Sequence, residues 1–234
     1  IFALVLAFVM VATSVVTPSD KKAEAADNLS TFENISAADI AAAMSPGWNL
    51  GNTLEAVTNK TDTSTGETIG IPDEEAWGNP KASEDMFKAV KEAGFKSVRI
   101  PVSYLSMIDD ANGYKIDEAW MARIKEVVDM CIKYDLYAVI NMHGDGYHSI
   151  AGGWLLCDKE DQTTIKAKYE AVWKQIAETF KDYDEHLLFA SMNEVFDGNY
   201  NGPTESGYAA INDYNQIFVD TVRKTGSNNT KRWL

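Results

Sequence analysis

Short segments of strand-forming residues alternate with amphipathic segments along most of this chain. Strand-like segments stand at 97–102, 137–143 and 187–192, and the last of them shows no polar alternation. Strands of a parallel sheet that is covered on both faces have this character. Between them apolar residues recur at the helical period, so the pattern predicts a sheet flanked by helices.

The remaining elements follow from the same periodicity. A short helix is expected over 35–44, a first strand from Gly47, and a long loop over 56–80, which is rich in Thr, Gly, Asp and Pro. One helix is expected to begin at Asn79 with Pro80 or at Ser83 and to end at Gly94, and the next is expected to begin near Asp117, where the side chain suits an N-cap. Later apolar stripes at 165–180 and 211–222 predict two more helices, and residues 231–234 begin a fifth strand.

Four repeats of strand and helix predict a parallel sheet with right-handed crossovers, either open and doubly wound or closed into a barrel. No G-x-G-x-x-G sequence follows the first strand, so a dinucleotide-binding sheet has no support. Polar groups at successive strand ends favour the α/β class with a (β/α)₈ barrel, of which about four and a half βα units are present. Residues 35–234 are therefore expected to be the N-terminal part of a longer barrel.

The start of the chain differs from the rest. Residues 1–16 are apolar apart from Thr13 and Ser14, a run too short for a comfortable membrane span, and Ala23 and Ala25 suit a cleavage site. We expect residues 1–25 to be a secretory signal peptide whose first residues are missing, followed by a polar leader over 26–34. An uncleaved membrane anchor is the alternative; the signal peptide predicts a secreted protein that leaves the membrane.

Composition narrows the class of partner. The chain has 234 residues, of which 45% are hydrophobic, and a net charge of −14. A chain of this length can bury a large hydrophobic core. Its negative net charge argues against nucleic acid as a partner, because proteins bind nucleic-acid phosphates through Lys and Arg. The only two cysteines, Cys131 and Cys157, exclude a disulfide framework and zinc-type spacing. Two unpaired buried thiols are favoured over a single bridge, and no metal or cofactor is expected.

The candidate chemistry lies where the strands end. Asn193 and Glu194 follow the apolar run at 187–192, Arg99 lies in an earlier strand, and His143 ends another. An isolated Asn-Glu pair would suit a surface turn. Parallel strands, however, deliver their carboxyl ends to one rim, where barrel enzymes assemble their active sites. We therefore predict Glu194 as the catalytic centre.

Four motifs in order resemble glycoside hydrolase family 5, the cellulase and endoglucanase family. They are residues 47–55, residues 98–102, residues 141–143 with the sequence Asn-Met-His, and residues 192–194 with the sequence Met-Asn-Glu. The resemblance runs from about Ile40 to the last residue. It implies a barrel that hydrolyses β-1,4-linked glucan with retention of configuration, in a secreted enzyme that acts as a monomer.

The resemblance also implies roles for single residues. Glu194 would be the acid/base, Asn193 would contact the sugar 2-hydroxyl, and Arg99 and His143 would surround the carboxylates. The nucleophile of the family is a second Glu on a later strand, which we expect beyond Leu234. A retaining mechanism needs the two carboxyl groups about 5 to 5.5 Å apart.

Three further residues are weaker candidates for substrate binding. Trp154, in a glycine-rich loop, would stack on a sugar ring or anchor the loop on the barrel, and both roles stay open. His148 would bond sugar hydroxyls, since no third ligand supports a metal role. Asn52 would bind a distal glucose. Trp48 is expected in the core, and His186, at the opposite end of its strand, is given no function.

Several rival functions remain at this stage. A mannanase or a xyloglucanase of the same family differs only in the loops that select the sugar. A sugar-binding module without catalysis predicts a small β-sandwich, which the strand and helix alternation disfavours. An unrelated open α/β enzyme would be indicated if the polar strand ends failed to converge.

Overall fold

A four-stranded parallel sheet forms the centre of the computed structural model, which describes residues 32–198 and 204–234. The strands in these ranges are β1 Gly47–Asn49, β2 Val57–Thr61, β3 Thr68–Pro72, β4 Ser97–Val102, β5 Ile108–Asp109, β6 Lys115–Ile116, β7 Tyr137–Met142 and β8 Leu187–Ala190. The α-helices are α1 Ala37–Ala43, α2 Glu84–Glu92, α3 Glu118–Lys133, α4 Thr163–Phe180 and α5 Glu205–Lys224.

The central sheet has the order β1-β4-β7-β8, and every neighbouring pair is parallel. Its register aligns Asn49 with Arg99 and Arg99 with Val139. Helices α2, α3 and α4 make the connections between successive strands, as the alternation predicted. Beyond β8, the Phe189 N–H donates to the Trp233 carbonyl at 3.2 Å, which aligns residue 233 with β8 where a fifth strand was expected.

Helix boundaries follow side-chain caps that the sequence contains. Ser36 accepts a hydrogen bond from the Asp39 N–H at 3.2 Å, and Asp117 accepts one from the Trp120 N–H at 2.8 Å. These bonds satisfy backbone donors that the first turn of a helix leaves unpaired. Helix α2 ends before Gly94, whose φ of 94° is strained for any residue with a Cβ. The predicted helix starts at Ser83 and Asp117 are confirmed.

Aromatic side chains join the last two helices to the sheet. Trp173 of α4 is fully buried and lies 4.5 Å, between ring centroids, from Phe218 of α5 and 5.8 Å from Phe189 of β8. Its indole N–H and the Tyr169 hydroxyl both donate to the Ser191 carbonyl, at 3.1 and 2.8 Å. Burial of these large rings stabilises the sheet and fixes the backbone just before the Asn193-Glu194 pair.

The prediction of an unstructured loop over 56–80 is wrong in part. Strands β2 and β3 pair there as an antiparallel hairpin. Thr58, Asn59 and Lys60 of β2 are exposed, so the strand has no apolar face that would give it a period of two. Gly70 of the hairpin donates its N–H to the Ala151 carbonyl at 2.9 Å and accepts from the Ser106 hydroxyl at 2.8 Å. The hairpin is thereby attached to the loops that follow β4 and β7.

Other predictions have mixed outcomes. Cys131 and Cys157 are both unpaired and buried, as favoured above. The predicted signal peptide and most of the leader lie outside the described residues, as does the segment 199–203. No helix within the described ranges is long and apolar enough to span a membrane.

Candidate active site

The polar residues predicted at the strand ends do converge in space. The Arg99 guanidinium extends from β4 and donates through Nη2 to Asn193 Oδ1 at 2.7 Å. His143 follows β7 directly, and its Nδ1 lies 3.4 Å from the same Arg99 Nη2. Three strands thus contribute to one cluster at the carboxyl edge of the sheet. An unrelated sheet with dispersed polar ends, the alternative considered above, is excluded by this contact.

Glu194 projects its carboxylate from this cluster toward solvent. Its backbone has a φ of 44°, and a non-glycine residue in this region costs about 1–3 kcal/mol and is held there by its surroundings. The Tyr147 hydroxyl donates to Glu194 Oε2 at 2.7 Å, and Asn193 Nδ2 donates to the Tyr147 oxygen at 2.8 Å. The side chain of Glu194 is exposed, and one of its oxygens is fixed by the protein.

His143 is a neutral imidazole with a defined tautomer. Its Nδ1 lies 3.3 Å from Asn141 Nδ2 as well as 3.4 Å from Arg99 Nη2. Because a guanidinium has donors only, Nδ1 must be the acceptor and the proton resides on Nε2. Burial, and then the nearby Arg99 charge, lower the pKa of His143 to about 4, although Glu194 opposes the shift. His143 therefore offers one N–H donor at neutral pH.

Two residues of this cluster were missed from the sequence. Tyr147 contacts Glu194 directly, whereas the prediction chose its neighbour His148. Asn49 accepts from Arg99 Nη1 at 3.0 Å, and the sequence analysis assigned it no role. The parallel register offered a signal for Asn49, since it aligns Asn49 with Arg99. For Tyr147, the signal was a hydroxyl four residues after His143 in the same loop.

The turn that carries Tyr147 is anchored by Asp145, which is fully buried. Its carboxylate accepts from the Tyr104 N–H at 3.0 Å, the Leu105 N–H at 2.8 Å and the Trp154 indole N–H at 2.7 Å. These donors satisfy a buried charge that burial alone would penalise, and burial raises the pKa of Asp145. The loops after β4 and β7 are joined at this carboxylate.

The three weaker candidates lie outside the hydrogen-bonded cluster. Asn52 is exposed at a φ of 59°, and its N–H is bound by Glu55 Oε1 at 2.5 Å. His148 Nε2 lies 3.1 Å from Asp158 Oδ1. Trp154 is half-buried against the core, and the Lys168 ammonium is 4.7 Å from its ring centroid. These contacts suit Trp154 as a loop anchor; the sugar contacts of all three residues stay predictions.

The opposite edge of the sheet has its own polar cluster. His186 stacks on Tyr137 with ring centroids 4.6 Å apart, and its Nδ1 lies 3.2 Å from Asp184 Oδ1. Asp184, Glu185 and His186 offer the one set of potential metal ligands within the described ranges, with ligand atoms inside 4.8 Å of one another. Since Glu185 Oε2 also accepts from the Glu33 N–H at 2.8 Å, this set is engaged within the protein.

Trp48 is partly buried and packs against the core, as expected.

The described features together define a class of protein. A parallel sheet of alternating strands and helices presents an Asn-Glu pair at its carboxyl edge, beside a fixed cation and a neutral imidazole. This is the arrangement of a barrel glycoside hydrolase. The family model for cellulase, glycosyl hydrolase family 5, matches residues 54–232. The chain belongs to glycoside hydrolase family 5, and its four parallel strands with their helices form part of the (β/α)₈ barrel of that family.

Individual relatives support the same assignment. Endoglucanase A of Paenibacillus barcinonensis is 51% identical over 229 residues, which cover 98% of this chain and 54% of the relative. The solved structure of a family 5 xyloglucanase from Paenibacillus pabuli in complex with ligand has 54% identity and a TM-score of 0.76, covering 83% of this chain and 52% of that one. A xyloglucan-specific endo-β-1,4-glucanase of Bacteroides ovatus is 41% identical over 206 residues, 87% of this chain and 39% of the relative. The chain spans about half the length of the first two.

Proposed function

We propose that the full-length protein is a secreted endo-β-1,4-glucanase that cleaves its substrate with retention of configuration. The observation that carries the proposal is the exposed Glu194 carboxylate at the rim, held by Tyr147 and backed by Asn193 and Arg99. Endoglucanases and xyloglucanases among the relatives share the family. The acidic chain also suits a neutral polysaccharide.

In this proposal Glu194 is the acid/base. Its exposed carboxyl group protonates the glycosidic oxygen as the bond breaks and later takes a proton from the attacking water. A second carboxylate from the rest of the barrel, about 5 to 5.5 Å away, attacks the anomeric carbon. Two such groups split the displacement into two steps and return the original configuration.

The neighbours of Glu194 have separate tasks. Asn193 Nδ2 carries two hydrogens, of which one is bound to Tyr147, so the other is free for the sugar 2-hydroxyl. Arg99 supplies a fixed positive charge beside the reacting carboxylates. His143, neutral and protonated on Nε2, donates one hydrogen bond to a carboxylate or a sugar oxygen. The arrangement thus places hydrogen-bond donors and a fixed positive charge where negative charge develops.

The test measures release of reducing ends by the full-length protein from carboxymethyl cellulose, xyloglucan and mannan. Nuclear magnetic resonance of the first products reports the anomeric configuration before it equilibrates. We expect hydrolysis of the glucans with the β-anomer formed first. First appearance of the α-anomer contradicts retention, and release from mannan alone contradicts a glucanase.

Xyloglucan is the more specific candidate substrate. Two of the relatives named above are xyloglucanases, with 54% and 41% identity to this chain. A catalytic efficiency on xyloglucan at least tenfold above that on unbranched mixed-linkage β-glucan would assign this specificity. Equal efficiency on both polymers would assign a general endoglucanase.

Export is the second part of the proposal and rests on the apolar run at 1–16 and on Ala23 and Ala25. N-terminal sequencing of protein recovered from culture medium is the test. We expect a mature chain that begins after residue 25. A recovered chain that still contains residues 1–16 would indicate an anchor.

A further inference from the structure

Four side chains at the rim form a hydrogen-bonded series whose direction is fixed at one end. Arg99 Nη2 donates to Asn193 Oδ1 at 2.7 Å, and a guanidinium has no acceptor atom. The oxygen of the Asn193 amide must therefore face Arg99, and its Nδ2 must face Tyr147, 2.8 Å away. The orientation of an Asn amide, usually assigned from its network, is here decided by the cation.

The direction of hydrogen-bond donation is also fixed between Tyr147 and Glu194. Because Asn193 Nδ2 donates to the Tyr147 oxygen, the Tyr147 proton is directed away from Asn193 and toward Glu194 Oε2, 2.7 Å away. Burial, and then the hydrogen bond to Glu194, raise the pKa of Tyr147, so the hydroxyl keeps its proton throughout the working range. Oε2 is thus always a hydrogen-bond acceptor.

We infer that Tyr147 is a positioning residue that selects Oε1 of Glu194 as the oxygen carrying the transferable proton. This inference rests on the proposed glycosidase function and deepens it. An oxygen that accepts a hydrogen bond from Tyr147 is less basic than its free partner, so the acid form is protonated on Oε1. Tyr147 itself exchanges no proton with the substrate.

The proton balance of both steps follows from this selection. In the first step Oε1 gives its proton to the glycosidic oxygen while the bond from that oxygen to the anomeric carbon breaks and the nucleophile bonds to the same carbon. In the second step Oε1 takes a proton from water as the water oxygen bonds to the anomeric carbon and the nucleophile leaves. The Tyr147 bond to Oε2 persists through both.

The position of Tyr147 is rigid enough for this task. It follows the turn at Gly144–Gly146, which Asp145 anchors with three accepted hydrogen bonds. A Cβ on Gly146 would lie 2.7 Å from Val195 Cγ2, so the turn packs directly against the residue after Glu194. The Tyr147 ring also meets the edge of the His143 ring, with centroids 6.0 Å apart. The turn and the Glu194 backbone therefore hold a constant separation.

Tyr147→Phe in the full-length protein is the test, because it removes one hydroxyl and keeps the ring. His143 and Arg99, the charged or titratable side chains that interact with Glu194 or Tyr147 in this cluster, both stay in place in this variant. A hydrogen bond to a charged group shifts an equilibrium by about tenfold to a hundredfold. We expect turnover on polysaccharide to fall by that range and the alkaline limb of the pH profile to move upward.

Substrates with different leaving groups separate positioning from folding. An aryl glucoside with a good leaving group needs little protonation in its first step, so Tyr147→Phe should form the glycosyl-enzyme at nearly the wild-type rate. Tyr134→Phe is the matched control, since Tyr134 donates the same kind of bond to Glu84 Oε1 at 2.8 Å on the helical surface. It should change neither the profile nor the rates. An equal loss on both substrate types, or an unchanged alkaline limb, would overturn the inference.

A readout without turnover keeps this inference separate from the proposed function. In protein labelled with ¹³C at glutamate carboxyl groups, the chemical shift of the Glu194 carboxyl carbon should change in Tyr147→Phe, since Oε2 loses its hydrogen-bond donor, and should stay unchanged in Tyr134→Phe. Glu194→Gln identifies the signal. An unchanged chemical shift in an active glucanase defeats the Tyr147 role alone. Absence of wild-type glycosidase activity defeats the proposed function, even where the chemical shift changes.

Discussion

Two arginines show how the ends of the parallel sheet differ. Arg99 at the carboxyl end is half-buried and donates to side chains, Asn49 and Asn193. Arg232 at the amino end is fully buried and donates to four backbone carbonyls as well as to Asn229. Bonds to backbone carbonyls fix the main chain, whereas bonds to side chains orient polar groups at the rim. The same residue type thus holds the backbone at one end of the sheet and positions side chains at the other.

Two histidines give the same lesson through pKa shifts of opposite direction. His143 lies beside a cation, and burial together with Arg99 lowers its pKa to about 4. His186 lies among carboxylates, and its hydrogen bond to Asp184 raises its pKa above the ordinary value of 6.5. The rim therefore disfavours the protonated imidazole, whereas the opposite end favours it. Substitutions at matched positions can separate the two roles.

The largest contrast is expected between two glutamates. Glu194→Gln in the full-length protein should lower polysaccharide hydrolysis by roughly a hundredfold to ten-thousandfold, because the amide has no proton to transfer. Substrate binding and the thermal midpoint should stay near wild type. Reducing-end assays and calorimetry measure both quantities.

Glu185→Gln is the control at the amino end, where the carboxylate accepts from the Glu33 N–H at 2.8 Å. Its activity per folded molecule should equal that of the wild type. Joint loss of binding and folding in Glu194→Gln would assign that residue a structural role.

The next effect concerns stability alone. Arg232→Met leaves the carbonyls of Phe180, Tyr183, Asp184 and Leu187 without their donor, inside the protein. Unpaired buried acceptors are costly, so the free energy of unfolding should fall by about 3 to 5 kcal/mol. Urea denaturation measures the loss, and the folded fraction should keep wild-type turnover. A change below about 1 kcal/mol would contradict the stabilising role.

The sequence predicted much of the difference between the two ends of the sheet, because strand order and parallel topology decide which residues lie at the same rim. Strand β4 was predicted at 97–102 and is observed there. Arg99, His143, Asn193 and Glu194 were predicted to converge, and they do, because parallel strands carry them within β4, directly after β7 and shortly after β8. The grouping of these residues was thus predictable from the sequence, whereas their hydrogen bonds were not.

The contacts that the sequence did not predict depend on local geometry. Asn49 and Asn52 stand three residues apart, and the register with Arg99 decides which of them meets the guanidinium. Tyr147 and His148 are neighbours, and the tight turn before them decides which one faces Glu194. The hairpin at 57–72 was missed because the exposed polar positions of β2 leave no apolar alternation to detect. Composition carries no signal for any of these choices.

Two asparagines that orient the two arginines provide a finer comparison. Asn49→Ala removes the acceptor of Arg99 Nη1 at 3.0 Å, so turnover should fall by about fivefold to tenfold with little change in stability. Asn229 is fully buried, accepts from Arg232 Nε at 2.7 Å and donates to the Ala177 carbonyl at 2.8 Å. Asn229→Ala should lower stability by about 1 to 3 kcal/mol and spare turnover. Urea denaturation and turnover rates of both variants test this comparison. Loss of stability in Asn49→Ala together with loss of turnover in Asn229→Ala would remove the distinction between the two ends.

The smallest effect is expected in the pH dependence of stability, where the two histidines should act with opposite sign. For His143 the unfolded chain binds its proton near pH 6.5 and the folded chain near 4, so its contribution is lost as pH falls through that window. For His186 the folded pKa is the higher one, so its contribution is complete below 6.5 and is lost as pH rises through the raised value.

His186→Gln should therefore destabilise the protein at pH 5 to 6, by less than about 1 kcal/mol because solvent screens this pair, and should have less effect at pH 8. His143→Gln should remove part of the acid sensitivity instead. Denaturation at several pH values gives both slopes, and imidazole titrations by nuclear magnetic resonance give the two midpoints directly. If the two imidazoles titrated with the same midpoint, Arg99 and the Asp184 carboxylate would not shift the two histidine pKa values in opposite directions. The electrostatic contrast between the two ends of the sheet would then be absent.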